Sequence, residues 1–244
     1  MGEIFSVETV FTNIPKILRY LPVTIEITVL ATVFGLLLAL LIAIVKIKRT
    51  PVLRQIAAVY VSFMRGTPII VQLYLIYYGI PMIFKYINYI KGTNLNTNGI
   101  PAIIFVVTAF SLNEAAYNSE SIRAAIQSVD RGQLEAAKSL GMTYFQMLKR
   151  VIIPEAVVVA LPTLGNALIN LMKGTSLAFV CAVVEMTAEG KILAGRNYRY
   201  FEAYISLALI YWALTIILER LLAAGENKFR LPESPADLKK EAAK

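Results

Sequence analysis

The chain has 244 residues, of which 57% are hydrophobic and 16% are charged, against about 45 to 50% and about 25% in soluble domains. Its formal net charge is +8, and it contains one cysteine and no histidine. This composition excludes a water-soluble enzyme, a disordered chain, a disulfide scaffold, and any metal site or acid–base chemistry that depends on histidine.

Long stretches without Asp, Glu, Lys or Arg predict membrane-spanning helices. Five of them occur, at residues 27–45, 66–84, 92–113, 156–172 and 203–218. About 20 helical residues cross the hydrocarbon core, so we predict spans near residues 22–45, 57–80, 100–120, 154–172 and 203–222. The sequence therefore predicts an all-α membrane protein with five transmembrane helices. Its transmembrane domain covers residues 1–225, and a cytoplasmic tail covers residues 226–244.

The distribution of lysine and arginine predicts the orientation, because cytoplasmic segments of membrane proteins are enriched in both. Fifteen of the 24 lie on one side of the predicted spans, eight lie on the other, and Arg65 lies within a span. The N-terminus is therefore predicted outside and the C-terminus inside. The lysines and arginines of the inner segments, which lie beside anionic lipids, account for most of the positive net charge. Nucleic-acid binding is therefore not indicated.

In the second span, Arg65 precedes Gly66-Thr67-Pro68. A threonine N-cap followed by proline starts a helix, so these residues predict a break in the span. We expect Arg65 to stand at this break and to pair with Glu120 at the end of the third span.

The third span contains a polar stripe formed by Glu114, Tyr117 and Asn118. Their spacing of i, i+3 and i+4 places them on one helix face. Ionisable groups at membrane depth are expensive and are candidates for function. The stripe is either a polar seam between helices or a patch that faces the substrate.

A long inner loop, residues 121–153, contains the signals of two short helices rather than those of a linker. Asp130 with Gln133 has the spacing of a capping box, and Gly141 supplies the left-handed residue that commonly ends a helix. These residues predict a first helix that ends at a glycine elbow.

A second capping-box spacing, Thr143 with Gln146, opens the next helix of this loop. Pro154 either ends this helix or joins it to the fourth span. Aromatic and methionine side chains on the helix need a partner, which is either the bundle itself or another protein.

The fourth span carries Asn166, Asn170 and Lys173 at i, i+4 and i+7, and Ser176 follows. Lys173 is either a ligand for a substrate carboxylate or a cation that extends toward the outer interface. The apolar stretch 174–184 is too short to span, so we predict a re-entrant or outer-surface segment packed against the bundle.

After this stretch, Glu185 is predicted near the outer mouth. With three later cations it either meets a docking protein or is a solvated loop charge; these cations are Lys191, Arg196 and Arg199.

The loop residues resemble a known family. Glu135-Ala136-Ala137-x-x-x-Gly141, followed by Val151-Ile152-Ile153-Pro154, is similar to the EAA loop of the permease subunits of ATP-binding cassette (ABC) importers. Further motifs are similar to the polar amino-acid uptake branch, over roughly residues 20 to 222: Arg65-Gly66-Thr67-Pro68, Ala115-Ala116-Tyr117-x-x-Glu120-x-x-Arg123, Asn166 and Lys173-x-Thr175-Ser176-Leu177. Gly174 departs from the family, which often has an acidic or amide residue there.

This resemblance implies a type I ABC importer permease fold in the cytoplasmic membrane of a prokaryote. It implies that the chain has no catalytic residue, metal or cofactor of its own, and that two cytoplasmic ATPases bind ATP and Mg. The other implied partners are a second permease copy or paralogue, an extracytoplasmic amino-acid-binding protein and membrane lipid. The solute class is polar amino acids, with L-cystine favoured and glutamine, arginine, histidine and glutamate open.

The resemblance assigns the coupling role, and the polar residues at membrane depth supply the other candidates. Coupling to the ATPase is assigned to Glu135, Ala136, Ala137, Gly141 and Pro154. Candidates for the substrate path are Glu114, Tyr117, Asn118, Asn166, Asn170, Lys173 and Ser176. Structural or gating candidates are Arg65, Pro68, Glu120 and Arg123.

Two alternatives from other classes remain. The first is a stand-alone secondary transporter or channel, which would be expected to show an internal repeat. The second is a membrane-embedded subunit that recruits a partner without moving solute. The chain has no Walker A pattern, so any ATP is bound by another protein.

Overall fold

A computed structural model describes residues 5–48, 50–96 and 99–229, and these residues form a helical bundle. The α-helices are α1 (Val7–Leu18), α2 (Leu21–Lys48), α3 (Pro51–Gly66), α4 (Ile69–Lys91), α5 (Ala102–Gln127), α6 (Arg131–Ser139), α7 (Tyr144–Met147), α8 (Ile153–Gly174), α9 (Met186–Asn197) and α10 (Tyr200–Phe229). A π-helical turn (Leu148–Ile152) joins α7 to α8, and a 3₁₀ helix (Thr175–Cys181) follows α8.

Within the described ranges, four helical runs are long and apolar enough to cross a membrane. They are α2, α4, the continuous run Tyr144–Cys181, and Tyr200–Glu226 of α10. Helix α5 is 26 residues long, but the polar side chains in its second half, among them Glu114 and Asn118, keep it outside this set. The α-helical fold and the multi-pass architecture agree with the sequence.

The predicted second span, residues 57–80, is divided into two helices at the predicted break. Helix α3 ends at Gly66, Thr67 and Pro68 have extended backbone, and α4 starts at Ile69. Proline at 68 disfavours α-helical backbone at Thr67, which accounts for the break that the Arg65–Pro68 sequence predicted. Helix α4 then continues to Lys91, eleven residues beyond the predicted end of the span.

Helices α2 and α5 form the most extensive contact in the bundle. Small residues recur every four positions along the buried face of α2, at Ala31, Gly35, Ala39 and Ala43. Such a stripe lets two helices approach closely in a membrane. A Cβ at Gly35 would lie 2.9 Å from the Cβ of Glu114, so glycine at this position is required for α5 to pack where it does.

Helix α1 was not predicted. Ser6 is its N-cap, and the Ser6 Oγ accepts a hydrogen bond from the Thr9 amide at 3.2 Å. Ile17 of this helix is fully buried in a cluster with Met186 and Leu207. Helix α1 therefore packs against α9 and α10, so it is part of the bundle.

The apolar stretch 174–184 is neither a span nor a loose loop. Its 3₁₀ helix buries Thr175, Ala178 and Cys181 against the bundle, and the left-handed residue Ala182 turns the chain toward α9. At the C-terminus, α10 continues to Phe229, so the predicted tail boundary at residue 226 falls inside a helix. Residues 230–244 of the predicted tail lie outside the described residues.

Candidate functional site

The first helix of the predicted inner loop is capped by Asp130. Its Oδ1 accepts a hydrogen bond from the Gln133 amide at 3.2 Å. The expected return bond is absent, because the side chain of Gln133 instead donates to Glu155 Oε1 at 3.0 Å. The capping-box prediction is therefore half correct, and Gln133 ties α6 to the first turn of α8.

The elbow between α6 and α7 is built on Gly141, which has a φ of +74°. The Gly141 amide donates to Lys138 O at 2.9 Å and the Met142 amide donates to Ala137 O at 3.1 Å, the bond pattern of a Schellman motif. Thr143 and Gln146 then form the predicted reciprocal capping box. The two helices form a fixed hairpin rather than a flexible loop.

One side of this hairpin is apolar and uncovered. Ala137 and Met147 are buried, whereas Leu140, Tyr144 and Phe145 are 78%, 70% and 71% exposed. We call these three exposed side chains the hairpin surface. Exposed apolar side chains grouped in this way are typical of a protein interaction site, which favours a partner protein over packing against the chain's own bundle.

The hairpin is joined to α8 without an interruption. Pro154 has no N–H to donate, and the helix passes it through the π-helical turn Leu148–Ile152, with the Ile153 amide bonded to Leu148 O. The alternatives left open for Pro154 are thereby decided, because Pro154 joins the second loop helix to the next span. Helical backbone is continuous from Tyr144 to Gly174.

A cleft of about 410 Å³ lies between α5, α8 and the break before α4. Its lining is more apolar than polar, and we call it the polar cleft after the polar side chains within it. Three of the predicted substrate-path residues line it, namely Glu114, Tyr117 and Asn170. Asn118 is buried behind the cleft and donates to Glu114 Oε2 at 2.9 Å. The carboxylate is thus oriented by a neighbour, while the cleft remains open on one side.

The other substrate-path candidates do not line this cleft. Asn166 and Lys173 are exposed on the same helix as Asn170, and Ser176 is half-buried in the 3₁₀ helix that follows. Thr67, Pro68 and Asn113 line the cleft as well. The helix break is therefore part of the cleft wall.

The predicted pairing of Arg65 with Glu120 is wrong. The Arg65 guanidinium lies 5.3 Å from the ring centroid of Tyr117, a cation–π arrangement. Glu120 instead pairs with Lys46 at the end of α2 and with Arg123, whose Nη2 is 2.7 Å away. Lys46 and Arg123 lie near the end of α5 that carries Glu120. Arg65 contacts α5 about one turn earlier, at Tyr117.

Gln72 is a site residue that the sequence analysis did not identify. It is buried, and its Nε2 donates to Met64 O and Thr67 O across the helix break, at 2.8 and 3.0 Å. Its Oε1 accepts from Asn113 Nδ2 at 2.9 Å. Gln72 thus fixes both the break and a cleft residue, and its only sequence signal is an amide in an apolar helix five residues after the predicted break.

Replacing Gln72 by alanine is expected to lower the free energy of unfolding by about 2 kcal/mol, because buried carbonyl and amide groups lose their partner. Thermal unfolding of the purified chain in detergent measures this effect. Gln127→Ala is the matched control, since Gln127 is exposed and bonds only to Arg123 among the contacts of the described chain. Equal melting temperatures for the two variants would contradict the role assigned to Gln72.

Glu185 is neither a solvated loop charge nor a contact for a docking protein, the two alternatives that the sequence left open, because its side chain is not exposed. It is fully buried at the N-cap of α9, where Oε1 accepts from the Ala188 amide at 2.8 Å and Oε2 accepts from the Tyr211 hydroxyl at 3.1 Å. Burial raises the pKa of the Glu185 carboxyl, and hydrogen bonds to Thr187, Ala188 and Tyr211 oppose this rise. Glu185 is thus a buried junction between α9 and α10.

Among the described residues, none of the cations predicted to act with Glu185 forms an ion pair with it, although Lys191 interacts with it electrostatically. Lys191 Nζ lies 3.0 Å from the ring centroid of Phe179, and Arg199 pairs with Glu202 at 2.8 Å. Arg196 is exposed. No three Cys, Asp or Glu side chains in the described part of the chain are grouped in a way that would hold a metal ion.

Known proteins resemble the whole of this architecture. The family model described as "Binding-protein-dependent transport system inner membrane component" matches residues 31–231. A probable amino-acid ABC transporter permease protein of Vibrio harveyi is 43% identical over 215 residues, which cover 88% of this chain and 92% of that protein. An L-cystine transport system permease protein of Bacillus subtilis is 36% identical over 230 residues, 94% of either protein.

A solved structure agrees with these sequence relatives. The crystal structure of an amino acid ABC transporter with histidines has a chain that is 37% identical, with a TM-score of 0.79. The match covers 92% of this chain and 99% of that chain. Sequence and fold therefore lead to the same group of proteins.

Proposed function

Because this chain belongs to the family of inner-membrane components of binding-protein-dependent transport systems, we propose that it moves a polar amino acid across the membrane by alternating access. The chain is a permease subunit of an amino-acid ABC importer, a membrane component rather than an enzyme. Family membership favours this function over the stand-alone transporter and the recruitment subunit.

The proposed topology has five spans, with the N-terminus outside and the C-terminus inside the cytoplasmic membrane. Helix α5, which is third in chain order, completes the set of five spans. Helices α2, α4 and α8 all pack against it and shield its polar half from lipid. The lysine and arginine bias supports the orientation. In this topology the hairpin surface faces the cytoplasm.

The observation that carries the proposed mechanism is the hairpin surface at one end of an unbroken helix. From Tyr144 to Asn170 the helical path is about 39 Å at 1.5 Å per residue. A partner that tilts the hairpin therefore moves one wall of the polar cleft. We assign this partner as the ATPase pair, which supplies ATP and Mg, with Glu135, Ala136, Ala137, Gly141 and Pro154 as the coupling segment.

The polar cleft is the proposed passage for the solute. The Glu114 carboxylate suits the ammonium group of an amino acid, and the Asn170 amide suits its polar atoms. The cleft is open on one side in the single chain, which a second permease copy or a paralogue closes in our proposal. An extracytoplasmic binding protein delivers the solute. L-cystine is the first solute to test, because a 36% identical relative is named for it.

Uptake of radiolabelled L-cystine into proteoliposomes that contain the permease, its ATPase and its binding protein tests this function. We expect uptake that requires ATP, and competition by unlabelled glutamine, arginine, histidine and glutamate ranks the open solutes. Absence of ATP-dependent uptake for every polar amino acid would refute the proposal.

Glu114→Gln is expected to reduce this uptake about tenfold, since it removes a charge-assisted hydrogen bond of about 1.5 to 3 kcal/mol. The ATPase should still co-purify with the variant. Glu26→Gln is the matched control, because Glu26 is an exposed span carboxylate that lines a different groove. If both variants lost the same fraction of uptake, the result would contradict the proposed contact between Glu114 and the solute.

A further inference from the structure

The second half of α4 extends beyond the start of α5, the helix beside it. The ring of Tyr77 packs edge-on against Phe105, 5.8 Å away, in the first turn of α5. Pro81 to Lys91 therefore continue for about 15 Å, mostly beyond the start of α5. Side chains on this extension have few neighbours within the described chain.

One face of the extension is aromatic and cationic. Exposed side chains recur there at helical spacing, and we call this set the α4 ridge: Tyr78, Met82, Lys85, Tyr86 and Tyr89. Tyr86 and Tyr89 are 65% and 87% exposed. A cavity of about 420 Å³ lies beside the ridge, between Met82 and Lys85 on α4 and Ile100 before α5.

The end of the ridge is held in a fixed shape. Asn88 Oδ1 accepts hydrogen bonds from the Thr93 hydroxyl and the Leu95 amide, both at 2.8 Å. Its Nδ2 donates to Leu95 O at 2.8 Å. The connection after α4 is therefore folded back on α4, which presents the tyrosines on an ordered support and reduces the entropy that a partner must remove on binding.

The sequence from α4 to the middle of α5 carries charge of one sign. Residues 69–113 contain Lys85 and Lys91 but no Asp or Glu. Such a surface is complementary to an acidic one, and tyrosines among cations are typical of interaction hot spots.

We propose that the α4 ridge is the docking surface for the extracytoplasmic amino-acid-binding protein, and that it receives an acidic face of that protein. The assignment rests on the proposed function and orientation, which put the ridge outside the membrane. Tyr86 and Tyr89 supply apolar contact area, Lys85 and Lys91 steer the acidic face, and the cavity beside Met82 accepts a side chain of the partner.

The test uses the complete importer in nanodiscs and the amino-acid-binding protein that co-purifies with the wild type. Two double variants change the ridge, Lys85→Glu with Lys91→Glu and Tyr86→Ser with Tyr89→Ser. We expect each double variant to raise the Kd for the binding protein about tenfold. The variant that replaces both lysines should also weaken the dependence of this Kd on salt concentration. ATPase activity without the binding protein should stay unchanged, which shows that the variants are folded.

Arg54→Glu and Tyr198→Asn are the matched controls, because both side chains are exposed, Arg54 in the first turn of α3 and Tyr198 after α9, and Asn tolerates the φ of +58° at residue 198. We expect less than a twofold change in Kd for either. An equal loss in ridge and control variants, or no loss in the ridge variants, would overturn the assignment.

A cysteine at residue 89 separates a protein partner from lipid. In a Cys181→Ser background, Tyr89→Cys should react with a membrane-impermeant maleimide in nanodiscs and become protected when the binding protein is added. No reaction before addition would place the ridge in the lipid headgroup layer as an aromatic belt and would overturn the proposal. Failure of wild-type uptake would instead refute the proposed function, since the binding and labelling assays do not depend on transport.

Discussion

Gly141→Val is expected to remove nearly all ATP-driven uptake, while the chain still inserts into the membrane. Gly141 has a φ of +74° with no heavy atom within 4 Å of a built Cβ, so the effect comes from the backbone rather than from a clash. A left-handed conformation costs an ordinary residue about 1 to 2 kcal/mol, and more for a β-branched one. Valine would therefore change the angle between α6 and α7.

The elbow sets the relative position of the coupling segment and the hairpin surface. Glu135 and Ala136 are exposed on α6, whereas Tyr144 and Phe145 are exposed on α7. A single partner can contact both helices only if the hairpin keeps its shape. A small loss of backbone stability at the glycine thus becomes a large loss of coupling.

Gly141→Asn is the matched control, because asparagine adopts left-handed backbone more readily than other non-glycine residues. We expect the asparagine variant to keep most of the uptake and to co-purify with the ATPase, and the valine variant to lose both. Normal uptake by Gly141→Val would refute the coupling role of the hairpin.

Glu185→Ala is expected to lower the free energy of unfolding by about 3 kcal/mol. The change removes the N-cap of α9 and so leaves the buried Ala188 amide without its partner, which costs about 1 to 3 kcal/mol. It also removes the acceptor of the Tyr211 hydroxyl on α10. At roughly 2 to 4 °C per kcal/mol for a chain of this size, the melting temperature should fall by about 10 °C.

Fluorescence of Trp212 follows this unfolding, because it is the single tryptophan of the chain and adjoins Tyr211 on α10. Glu185→Gln keeps a carbonyl acceptor, so its melting temperature should fall by less than half as much as that of Glu185→Ala. Glu8→Ala, at an exposed site in α1, should change the melting temperature by no more than about 1 °C. A melting temperature for Glu185→Ala equal to that of Glu8→Ala would mean that the buried junction adds nothing to stability.

The hairpin shows which structural features local sequence signals can predict and which they cannot. Asp130, Gly141 and Thr143 act through hydrogen bonds and backbone angles within a few residues, so their positions predicted both helices and the elbow. Gln133 lies in the same segment, yet its side chain bonds to Glu155. A bond across 22 positions depends on how α6 meets α8, which capping rules do not describe.

The polar residues at membrane depth were identified by type, but the pairing predicted between Arg65 and Glu120 was wrong. Their cost in hydrocarbon predicts that Arg65, Glu114 and Glu120 have partners. Which partner each one finds depends on the axial positions of the helices. Lys46 on α2 reaches Glu120, whereas Arg65 reaches Tyr117.

The sequence by itself determined the membrane class, the family, the hairpin and the positions of the helix break and elbow. These features follow from apolar run length, local capping and backbone chemistry, which involve neighbours along the chain. Only the tertiary structure decided the burial of Glu185, the Gln72 connection across the break and the extension of α4 beyond α5. Those features depend on contacts between residues far apart in sequence, because close packing of α2, α5, α9 and α10 sets which side chains meet.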